Sequence, residues 1–161
     1  MKAHERIMES DAPGPSSRAI ALSILLSSRR SGHALDELIE QQAASVSQPR
    51  DRSLVMELVY GRLRRQETID WRLDAVLSKP LHRLPTVVQI LLRLGAYQLL
   101  FLDRIPASAA VDESVRLAKF YAKQLGRDWS GLVNGVLRNL IRVPAPPFPD
   151  PAVDPVRSLS I

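Results

Sequence analysis

"LLRLGAYQLLFLDRIPASAAVDESVRLAK", residues 91–119, decides the fold. Through Leu102 it is apolar enough for a core, yet Arg93, Gly95 and Gln98 sit in its middle. A glycine inside a helix costs about 1 kcal/mol relative to alanine. A buried amide must find partners or cost about 1 kcal/mol or more. Gly95 and Gln98 are three residues apart and share one helix face. The pair reads as architecture: Gly95 lets a neighbouring helix come close, and Gln98 bonds nearby backbone, with the "DRIP" turn at 103–106 at hand. Gly61 in "VYGRLRR" (59–65) and Gly135 in "LVNGVLR" (132–138) repeat the feature. They take the same structural reading, because none of these glycines belongs to a Gly-rich phosphate loop.

Working outward, Pro106 restarts the chain as a helix with Val111, Val115, Ala118 and Ala122 inward and Gly126 as its stop. Asp128 can cap the last helix, which Val133, Val136, Leu137, Leu140 and Ile141 carry to Arg142. Toward the N-terminus, Pro85 opens the apolar helix and "SKPLHRLP" (78–85) is a turn. "TIDWRLDAVL" (68–77) is a helix with Ile69, Leu73, Val76 and Leu77 on one side. A break near Glu67–Thr68 separates it from a helix over 50–66 carrying Leu54, Val55, Leu58, Val59 and Leu63. Two more helices precede these. One starts at a cap from Ser16 or Ser17, buries Ile20, Leu22, Ile24 and Leu25, and ends at Arg29, Arg30 and Gly32. The other covers 34–45 with Leu35, Leu38 and Ile39 inward. The fold class is all-α, a bundle of about seven helices over 16–142. Residues 1–15 read as a disordered tail, and 143–161, with six of the twelve prolines and no glycine, as an extended linker.

Composition agrees. Of 161 residues, 45% are hydrophobic and only 5% aromatic, so the core is built from Leu, Val, Ile and Ala, which favours helices on helices. No run approaches the roughly 20 apolar residues that span a bilayer. "MKAHERIMESDAPGPSS" has no apolar signal core, so the expected location is cytoplasmic, with no membrane partner. The absence of cysteine excludes disulfides, thiolate zinc and a cysteine nucleophile within these residues. His4, His33 and His82 lack ligand spacing, so no metal is expected, and no serine sits in a nucleophile motif.

What remains is positive charge. The net charge is +5, and residues 50–83 hold eight Lys/Arg against five Asp/Glu, residues 104–142 seven against three. Arg50 and Arg52 open the third helix, and Arg64 and Arg65 close it. Arg62 falls within the apolar arc and snorkels or pairs with an acid. Lys119, Lys123, Arg127, Arg138 and Arg142 form a second basic strip. As a set these point to RNA phosphates.

The opening stretch, with "RDRSLVMELVYGRLRR" (50–65), "IDWRLDAVLSKPL" (69–81) and "VNGVLRNLIR" (133–142), resembles the NusB-like RNA-binding fold. Specifically, it resembles the N-terminal domain of bacterial RsmB/Sun ribosomal RNA cytosine-5 methyltransferases, over roughly 16–142. The resemblance implies two packed sub-bundles with seven helices in all, and 16S ribosomal RNA as a partner. It also implies a following catalytic domain that binds S-adenosylmethionine and works through two cysteines, one attacking cytosine and one releasing product. This chain has no cysteine, and no strand–loop–helix pattern follows Arg142. The expectation is therefore a non-catalytic domain without a cofactor of its own, whose second partner is its C-terminal methyltransferase domain. "PAVDPVRSLSI" (151–161) resembles the linker before that domain. Arg52, Arg64 and Arg138 fall in matching segments, whereas Arg62 departs, since related sequences often have an apolar residue there. The arginine-rich N-terminal segment that NusB uses for RNA is reduced to Arg18, with Glu5, Glu9 and Asp11 nearby. That counts against the alternative, a free-standing antitermination factor. The candidate RNA-binding residues are Arg18, Arg50, Arg52, Arg64, Arg65, Lys119, Lys123 and Arg138.

Overall fold

Ser16 Oγ accepts the Ala19 N–H at 3.0 Å, filling one of the donors that a helix start leaves open. From there the computed structural model describes residues 16–31, 34–44, 46 and 48–144. The expected tail (1–15), the Gly32 stop and the linker from 145 onward lie outside the described residues. The helices are α1 Ser17–Ser31, α2 Leu35–Ala43, α3 Pro49–Arg64, α4 Gln66–Asp74, α5 Thr86–Phe101, α6 Ala107–Phe120, α7 Ala122–Leu125 and α8 Ser130–Arg142. A 3-10 turn at Leu81–Arg83 precedes α5, and the described residues contain no strand. The all-α expectation holds, with eight helices among the described residues where about seven were expected. The extra one arises because the expected helix is interrupted at Tyr121 (φ −88°, ψ −1°), ending at Phe120 and restarting at Ala122.

The described residues fall into two compact units that divide between Val59 and Tyr60, inside α3. In the first, α1 lies against α2, and Ile20, Leu22, Ile24, Leu25, Leu38 and Ile39 are buried. Ser17 Oγ donates to the Asp51 carbonyl at 3.4 Å. Leu35, expected inward, is only half-buried.

In the second unit α5 is central: it packs against α4, α6 and α8, while α6 packs against α8. Every residue from Ile90 to Gln98 is buried, which explains the apolar run. The polar exceptions each have a reason. A Cβ on Gly95 would stand 2.7 Å from Leu137 Cδ1 and 3.1 Å from Ser114 Oγ, so the glycine makes room for α8 and α6. Gln98 is 1% exposed, and its Nε2 donates to the Leu94 carbonyl of its own helix at 3.0 Å. That donor is satisfied one turn back, within α5. Arg93, also buried, pairs bidentately with Asp70 of α4, at 2.8 and 3.0 Å. Gly61 is required in the same way: a Cβ there would fall 2.1 Å from the Tyr97 hydroxyl.

Gly135 does not fit the expected close crossing. It is exposed, and an added Cβ would meet nothing within 4 Å. Leu63 and Ile141 also differ from expectation and are exposed. The break after α3 comes at Arg65 (φ −101°, ψ 12°), two residues before the expected site. It is spanned by Arg62 Nη1 donating to Gln66 Oε1 at 2.7 Å. Arg62 is 4% exposed, as its place in the apolar arc implied. α4 stops at Asp74, and Val76 and Leu77 turn back to the Leu73 carbonyl at 3.0 Å each.

Candidate nucleic-acid interface

The candidate cations are distributed over both units. Arg18 on α1 is half-buried and engaged within the chain. Arg50 and Arg52 are exposed at the start of α3, in the first unit, and Arg64 and Arg65 are exposed at its end, in the second. The two ends of this helix therefore present separate basic groups.

Arg65 is held by an aromatic stack. Its guanidinium carbon lies 5.0 Å from the Phe101 ring centroid, and Phe101 stacks on Tyr97 at 5.6 Å and 30°. Tyr97 in turn fills the space left by Gly61. Stacking on a ring face leaves the guanidinium edge free to donate, which suits a phosphate.

Along α6 and α7, Lys119 and Lys123 are exposed. Arg116, one turn earlier, is committed to Glu113 at 2.6 and 2.8 Å, and that hydrogen bond raises its already high pKa further. Arg127 lies over the Trp129 ring at 4.1 Å. Between them Asp128 accepts the Ser130 N–H at 2.8 Å, the first N–H of α8, but the N-cap position expected of it falls on Trp129, which makes no side-chain cap bond. Hydrogen bonds from Ser130 hold the Asp128 carboxyl below the usual range, and the nearby Lys119 charge adds to this.

On α8, Arg138 is exposed and its Nε donates to Asn134 Oδ1 at 2.8 Å; Arg142 is braced in the same way by Asn139. Gly131, Gly135, Arg138 and Arg142 are all exposed and recur at helical spacing, so they form one outward row. Among the described residues no group of three or more His, Cys, Asp or Glu is placed to hold a metal, and no helix is long and apolar enough to cross a membrane.

Sequence reasoning missed Phe120. It is 73% exposed and meets Tyr121 edge to face, ring centroids 5.3 Å apart and planes at 81°. The signal was available: at about 100° per residue, Phe120 falls opposite Val111 on the helix. It also missed the Arg93–Asp70 pair, whose members are 23 residues apart with nothing local to link them.

This architecture is shared with solved structures. The chain superimposes on T. maritima NusB with a TM-score of 0.67 and 27% identity, covering 81% of this chain and 91% of that one. That defines a helical domain of the NusB fold. A model of the NusB family matches residues 15–142, and the chain belongs to this family. Among curated relatives, the probable ribosomal RNA small subunit methyltransferase B of Bacillus subtilis (strain 168) is 41% identical over 110 residues, 68% of this chain and 24% of that protein. Its counterpart in Synechocystis sp. (strain ATCC 27184 / PCC 6803 / Kazusa) is 40% identical over 109 residues, 68% of this chain and 23% of that protein. The ribosomal RNA small subunit methyltransferase B of Vibrio cholerae is 38% identical over 125 residues, 78% of this chain and 28% of that protein. The chain thus spans about a quarter of the length of these relatives.

Proposed function

We propose that these residues form the RNA-binding domain of a ribosomal RNA small-subunit cytosine-5 methyltransferase, working in the cytoplasm. In this reading the domain holds 16S ribosomal RNA by its phosphates and presents it to a methyltransferase domain that is its second partner. The observation that carries it is the match of nearly the whole helical body to about a quarter of proteins named for that activity. The exposed Arg50, Arg52, Arg64, Arg65, Lys119, Lys123 and Arg138 supply the charge such a task needs. The S-adenosylmethionine cofactor and the methyl transfer belong with the other three-quarters of the relatives' length, and this domain itself is non-catalytic.

The test is a domain exchange. Residues 16–142 replace the 110 matched residues of the Bacillus subtilis relative, and methylation of small-subunit RNA is measured. Retained methylation supports the reading; a folded hybrid that no longer methylates overturns it. The likeness to T. maritima NusB over 91% of that chain favours a second reading, a free-standing antitermination factor acting with a ribosomal protein. A stable complex with such a protein on gel filtration would support it, and its absence would remove it.

A further inference from the structure

The inner face of α6 is fully used: Ala110, Val111, Ser114, Leu117 and Ala118 are buried. Phe120 is on the other side, and at 73% it is far more exposed than Met56, Leu63, Ile141 or Val143, the other exposed large hydrophobics among the described residues. Its surroundings are not those of a protein-docking patch. Arg116, Lys119 and Phe120 near the end of α6 and Lys123 in α7 follow closely along the chain, and all are exposed. Lysine is depleted from the cores of protein interfaces, whereas an aromatic ring set between cations is the usual platform for an unpaired base. The edge-to-face contact with Tyr121 fixes the orientation of the ring while leaving most of it open. Arg116 is already held by Glu113, so Lys119, the residue before the ring at the end of α6, and Lys123, three residues after it in α7, are the exposed lysines left for phosphate.

We propose that Phe120 is a stacking platform for an unpaired base of single-stranded RNA, with Lys119 and Lys123 holding phosphates of the same strand. The proposal rests on the RNA-binding reading above and adds the form of RNA recognised: single-stranded, read by stacking and not by duplex shape.

The test measures binding of the full chain to a short oligoadenylate strand and to an RNA duplex, each over a salt series. Phe120→Ala is expected to weaken oligoadenylate binding by about 5- to 100-fold with an unchanged salt slope, and to leave duplex binding alone. Phe120→Trp is expected to restore affinity, and its added fluorescence to be quenched as the strand binds. Because Phe120 is exposed, Phe120→Ala should melt like the parent chain, so a drop in affinity is separable from a failure to fold. Equal oligoadenylate affinity for Phe120→Ala and the parent chain overturns this proposal while leaving the RNA reading in place. Equal weakening toward strand and duplex also overturns it. Failure of the parent chain to bind either RNA at low salt overturns both.

Discussion

Three helical glycines in the second unit should respond in opposite directions to the same substitution. At Gly135 an added methyl meets nothing within 4 Å, so Gly135→Ala gains helix propensity and stabilises by up to about 1 kcal/mol. At Gly95 the same gain is set against a Cβ placed 2.7 Å from Leu137 Cδ1, and Leu137 is fully buried and cannot swing out to solvent. Overpacking of this kind costs about 1–3 kcal/mol, so Gly95→Ala destabilises by up to about 2 kcal/mol net. At Gly61 the Cβ would fall 2.1 and 2.2 Å from the Tyr97 hydroxyl and ring. The ring must leave its stack on Phe101, and the cost reaches about 3 kcal/mol or more. Urea unfolding checks this directly. With a slope of about 1–3 kcal/mol per molar, Gly135→Ala should raise the midpoint by about 0.3–1 M, while Gly95→Ala lowers it and Gly61→Ala lowers it further. A Gly61→Ala protein as stable as the parent, or a Gly135→Ala protein less stable, would refute the packing argument.

The Arg93–Asp70 pair should be asymmetric: Asp70→Ala strands a buried guanidinium and costs about 3 kcal/mol or more, whereas Arg93→Met leaves a carboxylate that water can still reach and costs less. Urea midpoints of the two variants give the comparison, and equal losses would argue against it. Asp128→Ala should lower the melting temperature at neutral pH, because a carboxyl held below its usual range stabilises the fold above its unfolded pKa. That stability is lost as pH falls through the folded pKa, so the melting curves of variant and parent should converge in acid; a gap that persists there would contradict the role given to the Ser130 hydrogen bonds. Lys119→Gln with Lys123→Gln should lower the salt slope of single-stranded RNA binding by about 1.4, at about 0.7 for each phosphate that is no longer neutralised. An unchanged slope in filter-binding titrations would remove both lysines from the interface.

Much of the fold is written locally. Ser16, Pro85, Pro106 and Gly126 punctuate the helices where hydrogen-bond geometry and ring constraints require it, and the apolar spacing of Val111, Leu137 and their neighbours faces inward. The misplaced boundaries have no local marker. Arg65 and Tyr121 are ordinary helix formers, and the break at Arg65 coincides with a tertiary contact, the Phe101 ring under its guanidinium. Gly95 and Gly135 look alike in sequence, but only the packing of α5 against α8 separates the glycine with a neighbour from the one facing open space. For the candidate interface, the sequence supplies the cations but not their grouping. That Arg116 is paired while Lys119, Lys123 and Phe120 are exposed depends on side-chain geometry.

The central claim, that this NusB-family domain grips ribosomal RNA through phosphates, is tested most directly by titrating the chain against naked small-subunit RNA at a series of salt concentrations. The prediction is a linear fall of log K with log salt whose slope reflects several phosphates, reduced when Lys119, Lys123 and Arg138 are changed together to glutamine. Binding that does not change between low and physiological salt, or a slope that the triple variant leaves untouched, would contradict it.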